Sequence, residues 1–269
     1  EPGVTLEQIE AAVKKEGLLY PPDPTEKKAT IGGNVSTNAS GGRCFRFGST
    51  RNWIRRLKLA LPGGAGLNLK RELLRADMKN EFTLPFSSFR IPDYKMPAVK
   101  NAAGYFSTPR MDLVDLFIGS EGTLGLVTEV EIALVPDLEE TFDLVAFFPS
   151  EEKAVDFVQE CKAAKDQSIN FYEFFDENTL IMLKPSYPHL PANGKAAIYL
   201  EQEIGPSNKA NYLDNWAERL EKFGVSLEDC WLGTNQKQKE ELAAFRHAIP
   251  EHINELFKQK HQVKLATDI

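Results

Sequence analysis

Cysteine is scarce in this chain: Cys44, Cys161 and Cys230 are the three among 269 residues, set far apart and without a C-x-x-C pair. An odd, dispersed set suits neither a disulfide framework nor a thiolate zinc site, so the thiols are expected to be reduced and buried. Basic charge is not in excess either. With 39 acidic against 32 basic residues the net charge is −7, a field that repels a polyanion and argues against nucleic acid as a partner. Long apolar runs are missing, since none approaches the roughly 18 residues of a membrane span. The first residues, Glu1-Pro2-Gly3-Val4, contain no initiator methionine, no basic n-region and no apolar h-region, so they do not read as a signal peptide. That start, and an end in which Val263 and Leu265 lead into a partly apolar stretch, are expected to be cuts through a longer chain. A cytoplasmic location is the default that composition leaves.

What is present is an ordinary globular balance, 42% apolar and 26% charged, in a length that suits about two domains of roughly 150 residues. Thr5 and Gln8 have capping-box spacing, and Leu6, Ile9 and Val13 form a helical stripe that stops at Gly17. Residues 31–48 hold five glycines among small polar side chains and are expected to be an ordered loop with little helix or strand. Alternation predicts strands over 53–61 and 127–134, a short helix over 112–118, and an insertion over 68–100 with a short helix near 70–78. Beyond Pro136 glycine becomes rare. Strand patterns at 144–148, 170–175, 197–201 and 225–231 alternate there with helical ones at 151–165, 177–183, 209–223 and 236–248. This suits an α+β layer with helices on one face of a sheet, and places a domain boundary near Asp137.

Two loops carry the chemistry. The first runs Thr30-Ile31-Gly32-Gly33-Asn34-Val35-Ser36-Thr37-Asn38-Ala39-Ser40-Gly41-Gly42. Its glycines let backbone N–H groups approach phosphate oxygens, and its small polar side chains add donors without blocking access, as in a diphosphate cradle; a glycine-rich turn between packed strands has the same composition. The second, Gly119-Ser120-Glu121-Gly122-Thr123-Leu124-Gly125, permits close contact with a flat ligand. Neither follows the strand-G-x-G-x-x-G-helix order of a nicotinamide-binding fold. His247, His252 and His261 lack metal-ligand spacing. Glu173 and Asp176 read as edge charges on a strand rather than an acid/base pair, and no general base is assigned. Arg246 has a guanidinium suited to bidentate capture of a carboxylate, or to a solvated helix surface.

Taken together, Glu1 to Gln8, Pro21-Pro22-Asp23-Pro24, Ile31 to Gly42, Lys100-Asn101-Ala102-Ala103-Gly104-Tyr105 and Asp115 to Gly125 resemble the vanillyl-alcohol-oxidase type of FAD-linked oxidases. The branch resembled is that of D-lactate dehydrogenase, glycolate oxidase and D-2-hydroxyglutarate dehydrogenase. The likeness is clear to about residue 137 and fainter beyond. It implies residues 1–137 as the second half of a two-subdomain FAD-binding domain, and residues 138–269 as the start of an α+β, ferredoxin-like substrate domain. By motif position it implies FAD contacts at Pro22, Asp23, Gly32, Gly33, Ser36, Asn38, Gly41, Gly48, Glu121, Gly122, Gly125 and Val127, with bulk at Gly33 or Gly122 clashing with the flavin, and an approach of residues 100–105 to the ring. Arg246 becomes the anchor for the carboxylate of a 2-hydroxy acid. The implied activity is FAD-dependent oxidation of such an acid, with an electron acceptor still to be identified and a homodimer as the expected assembly. Because the family's first FAD subdomain and its later histidine motif have no counterpart here, the chain alone is expected to be inactive. The alternatives are a flavin-containing alkyl-glycerone-phosphate synthase, a transferase of the same fold, and a non-catalytic half of a split flavin site.

Overall fold

The computed structural model describes residues 1–263 except 85, 86, 93, 100 and 139, and leaves aside the side chains of 84 and 87. The chain is a mixture of helix and sheet in two compact units, the first ending at Asp137 and the second beginning at Leu138.

In the first unit, α1 (Leu6–Lys14) starts with the full capping box between Thr5 and Gln8 and buries Leu6 and Ile9. After β1 (Leu18–Leu19) the chain reaches the glycine-rich stretch, which is not a loop throughout. It forms α2 (Ile31–Thr37) and, further on, the single turn α3 (Cys44–Phe47). Local side chains offset the low helix propensity of two glycines. Thr30 caps the N-terminus by accepting from the Gly33 N–H, while the Ser36 and Thr37 hydroxyls donate back to the Gly32 and Gly33 carbonyls. Ile31 and Val35, one helical turn apart, are both buried.

Strands β2 (Ile54–Ala60), β3 (Gly66–Lys70) and β6 (Leu126–Ile132) form an antiparallel sheet with β2 in the middle. Between β3 and β6 the predicted helix near 70–78 does not form. Instead β4 (Glu81–Leu84) and β5 (Ser87–Arg90) make a hairpin in which Phe82 stacks on Phe89, so tertiary pairing overrides the weak local helical tendency. The short helix α4 (Leu113–Phe117) is capped by Asp112 and buried along its whole length. The last strand, β7 (Val135–Pro136), returns to pair with β1.

The second unit contains β8 (Thr141–Phe148), α5 (Glu151–Ala163), β9 (Ile169–Phe175), α6 (Glu177–Leu183), β10 (Ala196–Glu203), α7 (Tyr212–Glu221), β11 (Trp231–Gly233) and α8 (Gln236–Gln259). Its four strands are antiparallel in the order β11-β8-β10-β9. Helices cover both faces rather than the one expected. Phe157 of α5 and Trp216 of α7 pack with Phe142, Leu144 and Phe148 on one side, and Leu183 of α6 and Phe245 of α8 pack with Val145 and Phe147 on the other. The unbroken apolar run of β8 is the signature of a strand buried on both faces, and each such phenylalanine contributes roughly 1.5–3 kcal/mol by leaving water. Of the strand expected over 225–231, only Trp231 enters a strand. Residues Leu227–Asp229 form a 3-10 turn instead, started by Ser226 accepting from the Glu228 N–H. The helix α8 passes through Pro250 and ends about three turns beyond the predicted stop at 248.

Candidate cofactor site

The two glycine-bearing segments, some 80 residues apart, are joined directly. A helix C-terminus leaves its last carbonyls without partners inside the helix, and at α2 the second loop supplies them: Gly119 N–H donates to Val35 O at 2.9 Å and Glu121 N–H to Ser36 O at 2.8 Å. Asn38 closes α2 in the left-handed region at φ 49°, a conformation asparagine tolerates better than most residues. Its Oδ1 accepts from the Ser49 hydroxyl and from the Arg51 N–H, both at 3.0 Å.

Glycine is required at Gly41 by close approach: a Cβ there would lie 1.9 Å from the Asp23 carbonyl oxygen. That contact fixes the Pro22-Asp23 segment against the first loop, with Pro22 buried and Asp23 accepting from Lys27, whose ammonium also reaches Glu10 at 2.6 Å. Gly32 lies against Pro2, to whose carbonyl its N–H donates at 2.8 Å.

Beside this junction is a cavity of about 460 Å³. Its lining is mixed: Asn38, Ser49, Arg51, Asn52, Asn101 and Thr108 are polar, and Phe45, Met96, Val99 and Phe106 are apolar. Phe45 and Val99 are exposed, which leaves an apolar rim open to a ligand or to further chain. A planar ring system with polar edges and attached phosphates suits such a mixed lining, so the residues present fit part of an FAD molecule.

The twelve residues implied as FAD contacts do not gather in one place. Asn38 and Gly48 line the cavity; Ser36 and Glu121 are hydrogen-bonded partners; Asp23 meets Gly41, and Pro22 is buried beside it in the chain. Gly33, Glu121 and Gly122 are exposed. Gly125 and Val127 have a packing role, since a Cβ on Gly125 would sit 3.1 Å from the Ala60 carbonyl and Val127 pairs with Leu59 in the sheet. Of residues 100–105, Lys100 is outside the described residues, whereas Tyr105 is 41% exposed and bonds Thr123 of the second loop at 2.6 Å between hydroxyl oxygens. It is not a core aromatic.

Sequence reasoning missed the group beneath the cavity. Arg71 forms a double hydrogen bond to the Asp115 carboxylate, at 3.2 and 3.0 Å. Arg51 bonds the backbone carbonyls of Asp115 and Ile118 and stacks over the Phe106 ring at 4.3 Å. Nothing in the local pattern around Arg51 distinguishes it from a surface arginine.

In the second unit, Arg246 projects from α8 onto the covered sheet face, with its side chain 15% exposed and its Nη2 close to the carboxylate of Glu173 on β9. Its guanidinium lies 5.8 Å from the Phe171 ring, which packs edge-on against Tyr199. Tyr199 donates to Asp143 at 2.6 Å, and burial drives its phenol far above the ordinary tyrosine value. Glu173 is therefore an ion-pair partner rather than a solvated edge charge. Asp176 caps α6 by accepting from the Thr179 N–H. His252 bonds the Ala248 carbonyl at 2.7 Å and the Ser186 hydroxyl at 3.1 Å.

Residues 1–70 match the family model of an FAD binding domain. Over 208 residues the chain is 34% identical to the glycolate oxidase component GlcD of Bacillus subtilis, covering 77% of this chain and 37% of that protein. Over 276 residues it is 26% identical to a D-2-hydroxyglutarate dehydrogenase of Xanthomonas citri, covering 98% of this chain and 49% of that protein. The chain thus spans between about a quarter and a half of the length of the curated relatives it matches. A solved alkyldihydroxyacetonephosphate synthase superposes with a TM-score of 0.57 at 15% identity, over 84% of this chain and 39% of that one, a likeness of fold alone. Among the described residues, no helix is long and apolar enough to cross a membrane. The domain match and the relatives agree: the chain belongs to the FAD-linked oxidase family, and its cofactor is FAD.

Proposed function

We propose that this chain is part of an FAD-dependent dehydrogenase of 2-hydroxy acids such as glycolate, D-lactate or D-2-hydroxyglutarate. Residues 1–137 would be the C-terminal part of its FAD-binding domain, and residues 138–269 the N-terminal part of a ferredoxin-like substrate domain. The observation that carries this reading is the direct bonding of the two glycine segments, Gly119 to Val35 and Glu121 to Ser36, beside a cavity of mixed polar and apolar lining, in a chain whose relatives bear those names. The strand order β11-β8-β10-β9, fourth-first-third-second along the unit, supports the ferredoxin-like assignment.

FAD, when bound, supplies the ring that accepts a hydride. The chain's own residues do the rest. Asn38, Gly48 and Ser49 offer polar contacts from the lining, while Phe45 and Val99 offer apolar surface at the rim. Arg246 holds the substrate carboxylate. Its planar fork has five N–H donors, so the contact with Glu173 leaves others for a ligand. Burial against Phe171 strengthens such a charge-assisted pair.

The test is an absorbance spectrum of the purified intact polypeptide, followed by dye-reduction assays with glycolate, D-lactate and D-2-hydroxyglutarate. Oxidised-flavin bands with turnover of one of these acids are expected, and Arg246→Ala should raise its KM sharply. Flavin bands with no turnover of any 2-hydroxy acid would overturn the substrate assignment. An unchanged KM in Arg246→Ala would overturn the role of Arg246 alone.

A further inference from the structure

The floor of the cavity in the first unit holds more positive charge than its own carboxylate neutralises. Asp115 is engaged on both oxygens by Arg71, so those two form a neutral pair. Arg51 reaches the same carboxylate only at 3.5 Å, and its shorter bonds go to uncharged carbonyls. The side chains of Arg51, Arg71 and Asp115 are 14%, 18% and 10% exposed. Two cations and one anion therefore leave a surplus positive charge in a largely dry place. Such a charge is strongly unfavourable unless something compensates it. Burial lowers the Arg51 pKa to about 10, against the pull of Asp115, and that direction marks the same deficit.

The surplus faces the cavity. Arg51 is the one charged side chain lining it among the described residues, and none of those residues contributes a carboxylate. In a chain with a net charge of −7, an acid-free cavity with a stacked, backbone-clamped guanidinium at its floor is built for an anion. Arg51 also ties the second loop in place through the Asp115 and Ile118 carbonyls, and those bonds use only part of its five N–H donors. The Phe106 ring covers one face of the guanidinium, and carbonyls hold its edge.

We propose that Arg51 binds FAD through an anionic group of the cofactor. This rests on the assignment of FAD to this cavity. Two parts of FAD carry that chemistry: the diphosphate, charged in both redox states, and the pyrimidine edge of the ring, which gains negative charge on reduction. Removing Arg51 affects them differently. Loss of a diphosphate contact weakens binding of FAD but not of riboflavin. Loss of a ring contact lowers the flavin midpoint potential, because the reduced, negatively charged form is destabilised.

The experiment compares the intact polypeptide with its Arg51→Met and Arg51→Lys variants. It measures the dissociation constants of FAD and riboflavin by flavin fluorescence, and the midpoint potential by equilibration with reference dyes. Arg51→Met is expected to weaken FAD binding about tenfold or more, the loss of one charge-assisted hydrogen bond, or to lower the potential measurably. Arg51→Lys should recover part of the effect. Arg51→Gln, whose amide can still donate to the Ile118 carbonyl, replaces the methionine variant if that one does not fold. Unchanged affinity and potential in a folded, uncharged variant would overturn the role of Arg51 while leaving the cofactor site intact. Failure of the unmodified polypeptide to bind FAD would overturn both.

Discussion

Nη2 of Arg246 on α8 lies 2.6 Å from Oε1 of Glu173 on β9, and the pair is shielded on one side by the Phe171 ring. The two residues are 73 positions apart in sequence. Glu173→Gln leaves a mostly buried guanidinium without its counter-charge. It should destabilise the protein by about 1–3 kcal/mol, less than a fully buried pair because Glu173 keeps some contact with water. Urea unfolding measures the loss, and an unchanged midpoint would show the pair to be energetically idle.

Gly41 passes so close to the Asp23 carbonyl that any Cβ must displace one of the two backbones. Gly41→Ala should therefore cost about 1–3 kcal/mol or more, in the range of overpacked interiors. Gly3 is the control, since a Cβ there meets nothing within 4 Å, and Gly3→Ala should be neutral or slightly stabilising. Thermal melting of both variants checks the contrast, and equal melting temperatures would refute it.

Gly122 gives a way to separate folding from cofactor binding. Its φ of +76° strains any L side chain, yet a Cβ there meets nothing within 4 Å. Gly122→Ala should cost only the left-handed backbone penalty of about 1–2 kcal/mol. Gly122→Trp should fold as well as the alanine variant but bind little flavin if the second loop lies against the ring. Normal flavin content in Gly122→Trp would remove Gly122 from the site.

Stability should fall in alkali. Burial pushes the Tyr20 phenol from 10.0 up to about 12 and the Cys230 thiol from 9.0 up to about 12. Both groups are neutral when protonated. The unfolded chain therefore releases their protons first, and the contribution is present in full below about pH 9 and lost as pH rises towards about 12. Tyr20→Phe should flatten the upper part of that decline. Unfolding free energies measured from neutrality to the alkaline limit test it, and a variant curve parallel to the unmodified one would contradict the assignment.

The capping box at Thr5 and Gln8, the stripe of α1, the helix at Glu177–Leu183 and the central strands of both units could be read from spacing alone, because each depends on residues within one or two turns of one another. The second face of the four-stranded sheet was also encoded, in the unbroken apolar run of β8, although alternation elsewhere in the unit obscured it. Helix α2 was not legible, because glycine content argued against it and only the Thr30 cap and the burial of Ile31 and Val35 reverse that balance. Composition likewise marked both glycine segments as ligand-binding candidates without indicating that they touch.

Residue order was thus enough to specify α1, α6, the central strands, the glycine segments and the family. It took packing of the whole chain for Gly119 and Glu121 to complete the end of α2, for Arg51 and Arg71 to converge on Asp115 from 64 and 44 residues away, and for Arg246 to meet Glu173. The physical reason is range. Helical and strand preferences are summed over neighbours in the chain, whereas a buried charge finds its partner only after the elements carrying both have packed and the water between them has gone.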